Sequence, residues 1–137
     1  MKAWQLIGSR LLVGLRRVER LRPLIGYYKK RRSDVRVEWV AERGPGLRSM
    51  PYEAIVEIGK LQLDVRERLP KIRAPLLLLH GAFDHLAPPS ASARVSQQVA
   101  SSRVHRKIMP RSYHHLARDL DRERVASEVH GFLAGLV

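Results

Sequence analysis

Trp4, Ile7, Leu11, Leu15 and Val18 recur every three or four residues, the spacing of one face of an α-helix. Arg10, Arg16, Arg17 and Arg20 fall largely on the opposite side, and Pro23 and Gly26 punctuate the end, so residues 3–22 are predicted as an amphipathic helix. Val35, Val37 and Trp39 then alternate with polar residues ahead of the turn cluster Gly44-Pro45-Gly46, a pattern that leans towards a short strand. Helical spacing returns over residues 51–69, where Pro51 stands at the start and Ile55, Ile58, Leu61 and Val65 form the stripe.

After Pro70 the pattern changes. "PLLLLHG" (75–81) is a continuous apolar run of strand length, as expected of a strand buried on both faces of a parallel sheet. "PPSASARVSQQVA" (88–100) reads as a helix and "RVHRKIM" (103–109) as a second strand. A loop over 110–121 leads to a final helix, 121–136, with Val125, Val129, Phe132, Leu133 and Leu136 expected inward. Strand–helix–strand–helix predicts an α/β architecture with parallel strands.

A chain of 137 residues is about one domain by the usual length prior. Its longest apolar runs are far too short for a membrane-spanning helix. Cysteine is absent, which excludes disulfides and thiolate metal sites and leaves the compartment open; a cytoplasmic location is the working expectation. The net charge of +13 is uneven: residues 1–37 hold eleven Lys/Arg against Glu19 and Asp34, a local excess of +9. A basic amphipathic helix of this kind either simply faces water or lies on an anionic membrane surface. No recognition motif accompanies the charge, only Tyr27-Tyr28 beside the basic run, so a nucleic-acid partner is not expected.

In open parallel sheets, chemistry collects in the loops at the carboxyl ends of strands. The loop after the first predicted strand carries Asp84 and His85; the loop after the second carries His114 and His115. An Asp and a His thirty residues apart, on neighbouring strand ends, suit a pair in which the carboxylate fixes the imidazole tautomer and stabilises the imidazolium. His80 closes a buried strand and reads as a packed structural residue, while His105 and His130 read as surface positions. No two histidines stand at i, i+4 on a helix beside a carboxylate, so no metal site is expected.

"VRERLPKIRAPLLLLHGAFDHLAPP" and "RSYHHLARDLDRERV" resemble the acid loop and the His loop of α/β-hydrolases of the carboxylesterase/monoacylglycerol-lipase type. The likeness runs from about Pro51 to Leu136 and keeps the order and spacing of that family's motifs. It implies Asp84 as the triad acid, His114 (in "S-Y-H") as the triad base, and Asp119 as the acidic position behind the base. It also implies an ester or acylglycerol substrate and no cofactor. Residues 1–69 would correspond to a basic, helical, cap-like region and residues 70–137 to the C-terminal part of the hydrolase core.

One part of that machinery is missing from the sequence. The nucleophilic serine of such enzymes sits in G-x-S-x-G on a sharp strand-to-helix turn, and no such motif occurs here. Ser9 has Leu11 where the second glycine belongs; Ser49 is flanked at the two positions by Leu47 and Pro51. The expectation is therefore a C-terminal portion of an ester hydrolase, with acid and base but no nucleophile. The alternatives are a non-catalytic remnant or a module that binds an anionic membrane surface.

Overall fold

The computed structural model describes residues 27–29, 33–43 and 49–137; the helix expected over 3–22 lies outside them. The described residues form two compact units. The first holds β1 (Tyr27–Lys29), β2 (Ser49–Pro51) and most of α2 (Tyr52–Arg68), with β1 and β2 antiparallel and Tyr28 opposite Met50. Pro51 ends β2 with its φ already near the helical value, and α2 begins at the next residue. Ile55 and Ile58 are half-buried, whereas Leu61 and Val65, in the same stripe, are exposed.

The second unit comprises residues 33–43, including α1 (Glu38–Arg43), and residues 68–137. It contains β3 (Leu76–Gly81), α3 (Ser90–Gln98), β4 (Val104–Met109) and α4 (Arg122–Ala134), each within two residues of its predicted span. β3 and β4 pair in parallel, with Leu76 opposite Val104 and Gly81 opposite Met109. The chain thus has the α/β architecture read from its sequence. Helix α3 packs on both strands and α4 on β3. Arg106 of β4 ties the sheet to the start of α3, donating from Nε to Ser92 Oγ (2.9 Å) and from Nη2 to the Pro89 carbonyl (2.9 Å).

Two expectations need correction. The alternation at Val35, Val37 and Trp39 does not make a strand: the backbone turns at Val37, whose carbonyl accepts from Val40 and Ala41, and α1 follows. Val35 and Val40 are buried and Trp39 is exposed, so the apolar pattern marks a helical turn. A strand would also need a partner ladder, and here the Arg36 N–H and the Asp34 carbonyl bond instead to Asp119 and to the amides of His114 and His115. Second, Leu76–Leu79 are half-buried rather than fully buried, and Val129 and Leu133 of α4, with Leu136 just beyond it, are exposed. Among the described residues this sheet has two strands, too few to enclose the leucines from every side.

The interior of the second unit is built as much from carboxylates as from apolar groups. Its largest fully buried side chains are Met109, Asp119, Asp121 and Ser112. Asp121 accepts from Arg111 N (2.8 Å), Ser112 Oγ (2.8 Å) and Arg111 Nε (3.1 Å), while its own N–H returns to Ser112 Oγ (3.0 Å). Burial alone would raise its pKa, but these donors together outweigh the desolvation and hold it below the usual Asp value. The carboxyl end of β3 meets this network backbone to backbone. A Cβ on Gly81 would lie 2.6 Å from the Ser112 carbonyl oxygen and closer still to that of Tyr113, so only glycine fits.

Two measurements check this account. Gly81→Ala is expected to cost on the order of 3 kcal/mol in urea unfolding, because the obstruction is backbone and cannot rotate away. The depressed pKa of Asp121 means that the unfolded chain binds its proton more readily. Its contribution is therefore complete above about pH 4 and is lost as pH falls through the folded value. Asp121→Asn should flatten that acid decline and cost roughly 1–3 kcal/mol at neutral pH, since an amide cannot accept from all three donors.

Candidate active site

Two loops at the carboxyl ends of β3 and β4 carry the site. The first is held to the second by backbone bonds from Ala82 N to the Met109 carbonyl (2.9 Å) and from Phe83 N to the Ser112 carbonyl (3.2 Å). Asp84 then folds the chain around its own side chain. Its Oδ1 accepts from Leu86 N (2.8 Å) and Ala87 N (2.9 Å), an Asx-type turn that aims Oδ2 away from the loop. Pro88 and Pro89 follow and lead into α3.

The second loop, 110–121, is shaped by Asp119 and Asp34. The fully buried Asp119 carboxylate accepts from Tyr113 N (2.8 Å), Leu120 N (2.9 Å) and Arg36 N (2.9 Å). The Asp34 carbonyl accepts from His114 N (3.0 Å) and His115 N (3.1 Å). A 3₁₀ turn at Leu116–Arg118 completes the bend. The backbone around His114 is thereby fixed from both sides, and the imidazole reaches Asp84.

Asp84 Oδ2 lies 2.8 Å from His114 Nδ1, with the Asp84 side chain 4% exposed and that of His114 40% exposed. Asp84 has a lowered pKa: desolvation opposes ionisation, but the His114 hydrogen bond, the Ala87 and Leu86 amides and the charge interaction with His114 together prevail. An ionised carboxylate can only accept, so Nδ1 of His114 carries the hydrogen, and in the neutral imidazole Nε2 then presents a lone pair. The arrangement sets the imidazole tautomer and turns its acceptor nitrogen away from the carboxylate.

The remaining histidines separate clearly. His115 is directed to Asp34, with Nε2 3.3 Å from Oδ2, and its ring meets that of His114 edge-on at 5.4 Å. His85 stacks edge-to-face on Tyr113 at 5.4 Å, with Nε2 3.8 Å from Asp34 Oδ1. His80 is packed at the end of β3, and His105 and His130 are exposed. Among the described residues, no three His, Asp or Glu side chains converge as metal ligands, and no helix is long and apolar enough to cross a membrane. Ser112 is spent on Asp121, and Ser9 lies outside the described residues.

Sequence reasoning did not find Asp34 or Arg36. Arg36 donates from Nη1 to the Arg111 carbonyl (3.2 Å), and its guanidinium lies 5.0 Å from the centre of the Phe83 ring. Both residues act on a loop some eighty positions later, and nothing in their immediate sequence signals it. Asp121 reads in the sequence as the start of a helix, yet its side chain turns inward and makes no cap bond.

Residues 28–121 match the family described as serine aminopeptidase, S33. The monoacylglycerol lipase of Mycolicibacterium smegmatis is 32% identical over 76 residues, which are 56% of this chain and 26% of that enzyme. A solved structure from the work on the metagenome-derived lipolytic enzymes LipS and LipT superposes with a TM-score of 0.71 at 20% identity, over 80% of this chain and 44% of that one. The Paleococcus ferrophilus monoacylglycerol lipase gives 0.70 at 17% identity, over 93% of this chain and 52% of that one. The chain spans about a quarter of the length of the mycobacterial enzyme and about half of each solved structure. With the family match covering well over half of its residues, the chain belongs to the serine aminopeptidase S33 family of α/β-hydrolases.

Proposed function

We propose that these 137 residues carry the acid–base half of a serine-type carboxylic ester hydrolase, of the carboxylesterase or monoacylglycerol-lipase kind, acting on a small-molecule ester or acylglycerol. The observation that carries the reading is the 2.8 Å bond between Asp84 and His114 at the ends of adjacent parallel strands. The lipase names of the relatives favour an ester over a peptide. In this reading residues 1–69 are the cap-like region and 70–137 the C-terminal part of the core.

The chemistry follows from the tautomer. A serine hydroxyl brought to His114 Nε2 attacks the ester carbonyl as Nε2 takes its proton, and Asp84 stabilises the imidazolium. The same Nε2–H then protonates the departing alcohol. Water repeats the cycle on the acyl-enzyme. The serine comes from polypeptide outside these residues, since G-x-S-x-G is absent from them.

The purified 137-residue chain should therefore hydrolyse p-nitrophenyl butyrate no faster than buffer, a loss on the order of a millionfold against a complete triad. Hydrolysis that a serine-reactive inhibitor blocks would overturn this. Joined to a segment bearing the serine elbow, encoded upstream or supplied in trans, the chain should become active. Asp84→Asn should then cut turnover by about 10⁴-fold. A joined protein that stays inactive would favour the remnant.

A second reading rests on the charge of +9 over residues 1–37: this segment binds an anionic membrane surface, where acylglycerols reside. Co-sedimentation with vesicles should rise with phosphatidylserine content and fall with salt; indifference to both would remove it.

A further inference from the structure

The polar end of β3 is unexplained by strand packing. Four leucines occupy Leu76–Leu79, and the next position, opposite Ile108, is an imidazole only 11% exposed. Burying an imidazole there costs free energy unless its nitrogens find partners. Nε2 of His80 lies 3.0 Å from the Ala87 carbonyl and 3.3 Å from Asp84 Oδ2. A carbonyl oxygen only accepts, so Nε2 bears the hydrogen.

We infer that His80 is a positioning residue for the acid: its Nε2–H donates to the Ala87 carbonyl, which sets the ring 3.3 Å from the same Asp84 oxygen that receives His114. This rests on reading Asp84 and His114 as acid and base. Ala87 is held at both ends, donating its N–H to Asp84 Oδ1 and accepting from His80. His80 and Asp84 thus hold Ala87 from its two polar ends, and Oδ1 is committed to backbone. Oδ2, the oxygen left for His114, has the His80 ring 3.3 Å away, so the carboxylate has no room to swing towards the end of β3. The dipole of an N–H this close to Oδ2 draws on the same negative charge that His114 meets, so His80 moderates the Asp84–His114 bond as well as aligning it. Among the described residues, His115 meets the His114 ring edge-on and is itself paired with Asp34, and neither is altered by substitution at position 80.

Nitrogen-15 and proton NMR of the labelled 137-residue chain at neutral pH tests this, in solution or on sedimented protein. Wild-type His80 should show a protonated Nε2 and a bare Nδ1. In His80→Phe, which fills the same space without a donor, the His114 Nδ1–H resonance should move to lower field as its bond to Oδ2 strengthens. His80→Gln, whose amide reaches the same point, should return it towards the wild-type position. A bare Nε2 on wild-type His80 overturns the proposal without any variant. So does an unmoved His114 resonance in a folded His80→Phe, or a His80→Gln that behaves like His80→Phe. Turnover enters none of these readouts. An inactive joined enzyme would sink the hydrolase reading and leave them intact.

Discussion

The second unit hangs on one buried carboxylate. Asp119 has no exposed surface and satisfies three backbone N–H groups from two distant stretches of chain, Arg36 on one side and Tyr113 and Leu120 on the other. Each of those amides would be costly to bury unpaired, and so would the carboxylate. Satisfied together, they decide where the His loop runs and why residues 33–43 fold against it. His114 inherits its position from this arrangement.

Around that point the unit uses polar groups where a larger domain would use apolar ones. Asp121 fastens Arg111 and Ser112, Asp84 fastens Leu86 and Ala87, and the Asp34 carbonyl fastens His114 and His115. Hydrogen bonds of this kind are directional and short in range. They specify a geometry more sharply than they add net stability. An interior made this way is ordered where the chemistry is and only half covered elsewhere, as the exposed faces of α4 show.

Much of this was legible along the chain because it is local. Four leucines ending in His-Gly announce β3, a proline pair announces the turn into α3, and the order of Asp84 and His114 within matching loops announces the pair. The strand expected over residues 35–39 does not form, for a non-local reason. The backbone of residues 33–37 is satisfied by Asp119 and by the amides of His114 and His115, contacts across about eighty positions, and alternation of Val35, Val37 and Trp39 carries no trace of them. Periodicity reports which side of an element is apolar, and it is silent about which distant group completes a hydrogen bond. The choice between His114 and His115 lies between these extremes: motif order favours His114, while the geometry separates the two by giving each a different aspartate.

The contact at Gly81 bears on how an enzyme could be assembled from parts. The strand end and the His loop meet backbone to backbone at Gly81, so Asp84 and His114 lie in one compact unit and are already paired there. The ordering entropy of that pair is met within a single folding unit. On the proposed reading, a serine segment would have only one hydroxyl left to place against this pair. On that reading, a hydrolase fold divided ahead of β3 would keep its proton-transfer pair whole on one side of the division.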